Sequence, residues 1–352
     1  MAGYIVARAN FAIALTISSD RTRIISRIYL DHAATSPLRP EAKAAMEEGF
    51  RLWANPSSPH AEGRKAKAAL EDARERCKAA LGWDGELIFT SGASEALWIA
   101  LNRAKADRRI VSAVEHDAVF RAAPDAEIFS DESVLDNRAI LAIQQVNPET
   151  GTINPIARMA EVIRPTGAVI LSDCSQGAGK MPLPPVDMAV VSAHKFGGPI
   201  GIGALLVRDF KLLEPVGGHE RGYRAGTENL PGAMAMAAAL EAGDWATCEA
   251  DRAGFSSELA GSILKLGEQA DYILPLAHPN MSAQAQLIRL DAMGFAVSAG
   301  SACSSGTLKK SRVLDAFGVD DETAARTIRV SLGWNTTPEE LDAFVEAWAS
   351  LI

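Results

Sequence analysis

An α/β architecture is expected for this chain: a large domain with a mostly parallel sheet covered by helices on both faces, plus a smaller α+β C-terminal domain. Three observations predict it. Short apolar runs alternate with helical patterns from Glu86 to Val207, the signature of strands joined through crossover helices. One of those runs, Ala168-Val169-Ile170-Leu171-Ser172, is continuously apolar, as a strand covered on both faces must be. A length of 352 residues exceeds what one small core organises. The expected division is 46–240 for the large domain and 28–45 with 241–352 for the small one, leaving 1–27 as a weakly ordered N-terminal extension.

The elements follow in order. Arg27-Ile28-Tyr29-Leu30 reads as a short strand entering the polar turn Asp31-His32-Ala33-Ala34-Thr35-Ser36-Pro37. Pro40 to Phe50 reads as a helix with proline in its first turn and Gly49 near its end. Asn55 to His60 is a loop by composition, and Ala61 to Leu81 is a long alanine-rich helix closed by Gly82. Glu86 to Thr90 is a strand; Ser91-Gly92-Ala93-Ser94-Glu95 turns the chain into a helix at Ala96 to Arg103. Strands are expected at Arg109 to Val114, Ala139 to Val146, Ala168 to Ser172, Met188 to Val191 and Gly203 to Val207, with a helix around Ile156 to Ile163. Gly217 to Thr227 is a glycine-rich basic loop, and Pro231 to Trp245 is a helix that could bridge the domains. The small domain would hold a helix near Phe255 to Leu266, the loop Ser298 to Gly306, a strand at Thr327 to Leu332 and a last helix from Pro338.

Composition narrows the function classes. A hydrophobic share of 48% with 22% charged residues fits a soluble globular protein. A net charge of −9 gives no general attraction to phosphate backbones, so nucleic-acid binding is not expected. The cysteines Cys77, Cys174, Cys248 and Cys303 are scattered, with no zinc-like spacing to the six histidines, which points to no metal site and a reduced, cytoplasmic setting. No apolar run approaches a membrane span. Arg8, Arg21, Arg23 and Arg27 beside the apolar Phe11 to Ile17 could belong to a transit peptide, but an extension or an over-called start ranks above it.

Chemistry concentrates at strand ends. Ser192-Ala193-His194-Lys195-Phe196-Gly197-Gly198 places one lysine between two apolar strands. Burial there would lower the pKa of its amine, which an amine needs before it can attack a carbonyl; an ordinary turn lysine is the alternative reading. Strand, hydroxyl-bearing turn and helix at Thr90 to Ala96 would aim free N–H groups at an anion, or simply cap a helix. Thr90-Ser91, His116, Asp173 and Lys195 all follow strands, and in open parallel sheets the ligand crevice lies outside the carboxyl ends. Four motifs therefore converge on one edge.

Seven motifs standing in one order carry a resemblance: Leu30-Asp31-His32-Ala33-Ala34-Thr35, Phe89-Thr90-Ser91-Gly92-Ala93-Ser94-Glu95, Glu115-His116, Asp173-Cys174-Ser175-Gln176, Ser192-Ala193-His194-Lys195, Gly218-His219-Glu220-Arg221-Gly222 and Ser301-Ala302-Cys303-Ser304-Ser305. They resemble those of the cysteine desulfurases, pyridoxal 5'-phosphate enzymes of the class V aminotransferase group with fold type I architecture, and the similarity runs from Tyr29 to Thr337. The resemblance implies that Lys195 carries the cofactor covalently, that Asp173 pairs with the pyridine nitrogen, that Gln176 bonds the phenolic oxygen, and that His116 stacks on the ring and shuttles protons. The cofactor phosphate would be held by Ala93, Ser94, Ser192 and His194, with Thr227 reaching in from a neighbouring subunit of a homodimer. Cys303 would be the nucleophile that takes sulfur from L-cysteine as a persulfide, leaving alanine, and Arg329 would grip the substrate carboxylate. Its loop of small residues suits a thiol that must move to hand sulfur to an acceptor protein for iron–sulfur cluster or other thio-cofactor assembly.

The sequence also departs from that family. Members usually carry two adjacent asparagines before the Glu-(Thr/Ile)-Gly turn, and the second helps hold the substrate carboxylate; here that position is Pro148, which has no side-chain donor. Trp98 replaces a small polar residue, and the stretch between His116 and Asn147 is short. These features keep open a related class V enzyme, such as a selenocysteine lyase or an aminotransferase, and a degenerate cofactor-binding paralogue that acts as a partner protein.

Overall fold

The computed structural model describes residues 27–300 and 311–352. Eleven strands occur among them: β1 (Ile28–Tyr29), β2 (Glu86–Thr90), β3 (Arg108–Val111), β4 (Glu127–Ile128), β5 (Ala139–Ala142), β6 (Val169–Asp173), β7 (Met188–Ser192), β8 (Gly203–Val207), β9 (Ile273–Ala277), β10 (Phe295–Ala296) and β11 (Thr327–Ser331). Seven of them form one sheet in the order β2-β8-β7-β6-β5-β3-β4. All neighbours pair in parallel except β8, which runs against both β2 and β7. Two reversals restore direction, so β2, β3, β6 and β7 end on the same edge. The sheet is mixed, and the mostly parallel α/β arrangement expected from the alternation of patterns is present.

Side-chain alternation divides the sheet between two cores. Leu87 and Phe89 face one, packed with Leu70, Cys77 and Met236 from the helices Ala61–Leu81 and Leu230–Ala242. Ile88, between them, faces the other, with Leu97 and Leu101 of helix Ala93–Arg103 and Val119 of helix Asp117–Ala122. The central strands β5 to β8 are buried on both faces, which is why they read as apolar runs. A third core joins the segment after β1 to the C-terminal elements: Leu30 and Ala33 pack with Phe255, Leu276, Phe295, Ile328 and Phe344. There β1 pairs in parallel with β10, and β9 antiparallel with β11.

The helices Ala61–Leu81 and Ile156–Ile163 and the strands β2 and β8 have the expected bounds. Others shift: the expected Pro40 to Phe50, Ala96 to Arg103 and Pro231 to Trp245 are helices Pro40–Leu52, Ala93–Arg103 and Leu230–Ala242, and the strands Arg109 to Val114 and Ala139 to Val146 are Arg108–Val111 and Ala139–Ala142. Furthest off, the expected helix Phe255 to Leu266 is Glu249–Glu258. Asp251 accepts from the backbone N–H of Cys248 at 2.7 Å and starts the helix early. Beyond its end, the chain runs beside β9 through Leu264 N–H to Pro275 O, 2.9 Å, and Ala277 N–H to Ser262 O, 2.8 Å. No helix among the described residues is long and apolar enough to cross a membrane.

Candidate active site

A cleft of about 500 Å³ opens at the edge where β2, β3, β6 and β7 end. Lys195 enters it from a single 3₁₀ turn, Ala193–Lys195, that follows β7 directly. Its Nζ donates to the carbonyls of Ala33 at 2.7 Å and Ala34 at 2.8 Å, so the turn after β1 lies across the amine. Burial, with help from the nearby Arg329 charge, lowers its pKa to about 8 against the opposite pull of Asp173 and Asp31. About a tenth of such an amine is neutral at pH 7, against about three in ten thousand for an ordinary lysine. The adjacent His194 bonds Thr35 Oγ1 through Nδ1 at 2.8 Å; burial and the Lys195 charge lower its pKa to about 4, which keeps it neutral.

The turn after β2 supplies the opposite wall. Ala93 and Ser94 open the helix Ala93–Arg103, whose first N–H groups have no partner within the helix, and both line the cleft. The turn lies so close to β8 that a Cβ on Gly203 would stand 2.8 Å from Gly92 Cα and 2.6 Å from Val191 O. Only glycine permits that approach. Ser192, at the end of β7, completes this side.

His116 caps the helix Asp117–Ala122, with Nδ1 accepting from Ala118 N–H at 3.1 Å. In the neutral ring the proton therefore sits on Nε2. Burial lowers the pKa of this histidine, opposed by the facing Asp173. Asp173 ends β6 and accepts from Ser175 N–H at 2.9 Å. Gln176 donates through Nε2 to Ala33 O at 2.9 Å, while its Oε1 is buried with no partner; Ser175 Oγ is likewise buried and unpaired.

Arg329, on β11, is 7% exposed. Its guanidinium donates to Asp31 Oδ1 at 2.7 Å and to the carbonyl of Pro148 at 2.9 Å, and its Nε is buried without a partner. The sequence-predicted residues Ala93, Ser94, His116, Asp173, Gln176, Ser192, His194, Lys195 and Arg329 all line this one cleft. Thr227 does not; it is exposed on the surface of its own chain. Cys303 lies outside the described residues. On either side of its segment, Ser298, Ala299 and Gly300 line the cleft, and Ser311 donates to Glu149 Oε2 at 2.6 Å.

The description "Aminotransferase class-V" belongs to the family model that matches residues 28–134 and 125–344. The chain belongs to that family. Curated relatives include a cysteine desulfurase of Cereibacter sphaeroides, 34% identical with 93% of this chain and 96% of the relative covered, and an IscS-like cysteine desulfurase of Mycobacterium tuberculosis, 34% identical with 90% and 94% covered. Among solved structures, a NifS-like protein from Rickettsia africae superposes with a TM-score of 0.82 at 26% identity, covering 92% of this chain and 99% of its own. Another, SspA in complex with cysteine, gives a TM-score of 0.76 at 26% identity, covering 88% and 100%.

Class-V aminotransferases use pyridoxal phosphate, and the residues present fit that group. An aldehyde needs an amine that loses its proton near neutrality, and Lys195 is such an amine. A phosphate needs free N–H donors, which the start of helix Ala93–Arg103 offers. A ring with polar edges needs acceptors and donors not already spent, and Gln176 Oε1 and Ser175 Oγ are unspent.

Three residues of this class-V chain escaped the sequence reading. Asp31 lies within a quoted motif, but its partnership with Arg329 spans 298 positions and leaves no local signal. Glu149 bonds Ser311, and a Cβ on Gly300 would stand 2.4 Å from its Oε2. Burial raises its pKa. Glu115 is fully buried, accepts from Gln144 N–H at 2.7 Å and leaves Oε2 unpaired; burial pushes its pKa well above the usual carboxylate range.

Proposed function

We propose that this chain is a pyridoxal-phosphate-dependent cysteine desulfurase, a sulfurtransferase that converts L-cysteine to L-alanine and leaves the sulfur on Cys303 as a persulfide for iron–sulfur cluster or other thio-cofactor assembly. The observation that carries the reading is the convergence on one cleft of a pKa-lowered lysine, a buried arginine and the residues just before the segment that bears the thiol, with Ser311 just after it bonded to the lining Glu149.

When bound, the cofactor supplies an aldehyde that captures an amine and a protonated ring that draws electrons from the attached carbon skeleton. Lys195 would hold it, and its free amine can take and return protons near neutral pH. Asp173 would hold the ring proton, and Gln176 would donate to the phenolic oxygen through the second N–H of Nε2, whose first goes to Ala33. His116 covers the ring and carries a proton on Nε2. Ala93, Ser94, Ser192 and His194 receive the phosphate, with Thr227 of a second copy completing the seat. Arg329 orients the substrate through its carboxylate. The Cys303 thiolate attacks the substrate sulfur: an S–S bond forms, the C–S bond breaks, and its electron pair remains on carbon, which takes up a proton and becomes the methyl group of alanine. Thiol and cysteine become persulfide and alanine, with no external oxidant.

Pro148, which lines the cleft without a side-chain donor, favours a second reading: a related class-V enzyme, a selenocysteine lyase or an aminotransferase, with another amino acid as substrate. One assay separates them. Purified protein given L-cysteine is expected to show the visible band of a lysine-bound cofactor and to form alanine; Cys303→Ala keeps the band and loses turnover. Unchanged sulfur release by that variant overturns the persulfide step. A colourless protein that cannot be reconstituted overturns the cofactor.

A further inference from the structure

Arg329 is not a vacant receptor. Its side chain is 8% exposed and already faces a carboxylate, Asp31, at 2.7 Å, while the Pro148 carbonyl occupies a second donor at 2.9 Å. The unspent buried donor is Nε. Asp31 itself enters from the turn after β1, and its backbone bridges to Ser331 two residues beyond Arg329, so it cannot drift away. An unpaired guanidinium at this depth would be costly, and Asp31 removes that cost while the cleft is empty.

A carboxylate that arrives at Arg329 must share the cation with a fixed carboxylate beside it. We propose that Asp31 is a built-in competitor that sets how tightly the cleft holds a carboxylate, and so acts as a positioning and specificity-determining residue through Arg329. The inference rests on the proposed reading only in that Arg329 receives the substrate carboxylate. Its functional sense lies in turnover: amino-acid substrate and amino-acid product carry the same carboxylate, so a grip that is too strong on one retains the other. Binding both less tightly favours release, and binding energy spent equally on ground and transition states adds nothing to the rate at saturation.

The test uses the cofactor-loaded protein and two probes that lack an amine and so cannot react: mercaptopropionate and its amide, with affinities measured by calorimetry. Asp31→Asn keeps an acceptor oxygen for Arg329 but removes the competing charge. Mercaptopropionate is expected to bind about tenfold tighter to Asp31→Asn, because like charges no longer meet at one cation, with the amide changed by less than about twofold. Asp31→Ala should still raise the ratio of acid to amide affinity, even where loss of orientation weakens both. If Asp31→Asn weakens both probes equally, Asp31 only holds Arg329 in place and the inference falls. If wild type shows no preference for the acid over the amide and Arg329→Met changes neither, Arg329 is not the carboxylate receptor; the proposed substrate reading then fails, and this inference with it.

Discussion

Removing Glu220 should cost this protein about 4 kcal/mol, although Glu220 is not among the residues of the cleft. Its carboxylate meets Arg74 through two contacts, 2.7 and 3.2 Å, and both side chains are essentially buried, at 1% and 2% exposure. The same carboxylate accepts from Phe89 N–H at 2.9 Å, one residue before the strand end that leads into the Ser91-Gly92 turn. Glu220→Ala therefore strands a buried guanidinium, worth about 3–5 kcal/mol, and a buried N–H, worth about 1–3 kcal/mol. Against this, Arg74 keeps the Leu87 carbonyl at 2.6 Å and a partly exposed Glu71 at 3.3 Å, so the net lies near the lower end. The backbone adds a second handle. Glu220 and Arg221 sit at φ 47° and 58°, a left-handed conformation that side chains adopt at a cost, and the ion pair helps hold them there. Equilibrium urea unfolding followed by circular dichroism measures the loss for Glu220→Ala, Arg74→Met and the double variant Arg74→Met/Glu220→Leu. The double variant is expected to lose less than either single one, since no charge is then stranded. A single-variant loss under about 1 kcal/mol, or additive losses in the double, would refute the reasoning.

Two further predictions concern the cleft. Acylation of the apoprotein, mapped by mass spectrometry, should modify Lys195 with a midpoint near pH 8 instead of the 10.5 of an ordinary lysine, faster as pH rises because the reactive form is neutral. Asp173→Asn should move that midpoint down and Arg329→Met should move it up, because the two charges act on the amine with opposite sign; coincident curves would contradict the electrostatic account. Gly203→Ala should push the Gly92 turn away from β8, destabilise the fold by about 1–3 kcal/mol and weaken binding of pyridoxal phosphate in an absorbance titration. Wild-type affinity in that variant would mean that the turn is not seated by the close approach.

The parts of this fold that the sequence made legible are those governed by local rules. Ala61–Leu81 combines alanine-rich helix propensity with a closing glycine, and β2 and β8 are apolar runs because both sheet faces are covered. Where a longer-range partner decides, local reading failed. Gln144 looks like a strand residue, yet its N–H goes to the Glu115 carboxylate, and β5 ends at Ala142. Strand β9 was not anticipated at all; it accommodates Pro275, which needs no ladder donor there, and the carbonyl of that residue accepts from Leu264. In the site, lysine, histidine and aspartate were visible as single residues at strand ends. The Asp31–Arg329 pair and the meeting of Glu149 with Ser311 were not, because no pattern within a few residues encodes a contact between distant segments.

The turn that lies across Lys195 has a temporal consequence. Ala33 and Ala34, which receive the amine's hydrogen bonds, belong to a segment whose own packing partners include Phe295, Ile328 and Phe344. The seven-stranded sheet is complete in sequence by Val207, but the surface against which that turn packs follows only with Phe295, Ile328 and Phe344. On a growing chain the lysine can thus be in place while the clamp above it and the arginine beside it are still missing. Assembly of the reactive centre therefore waits for segments that follow the sheet in sequence.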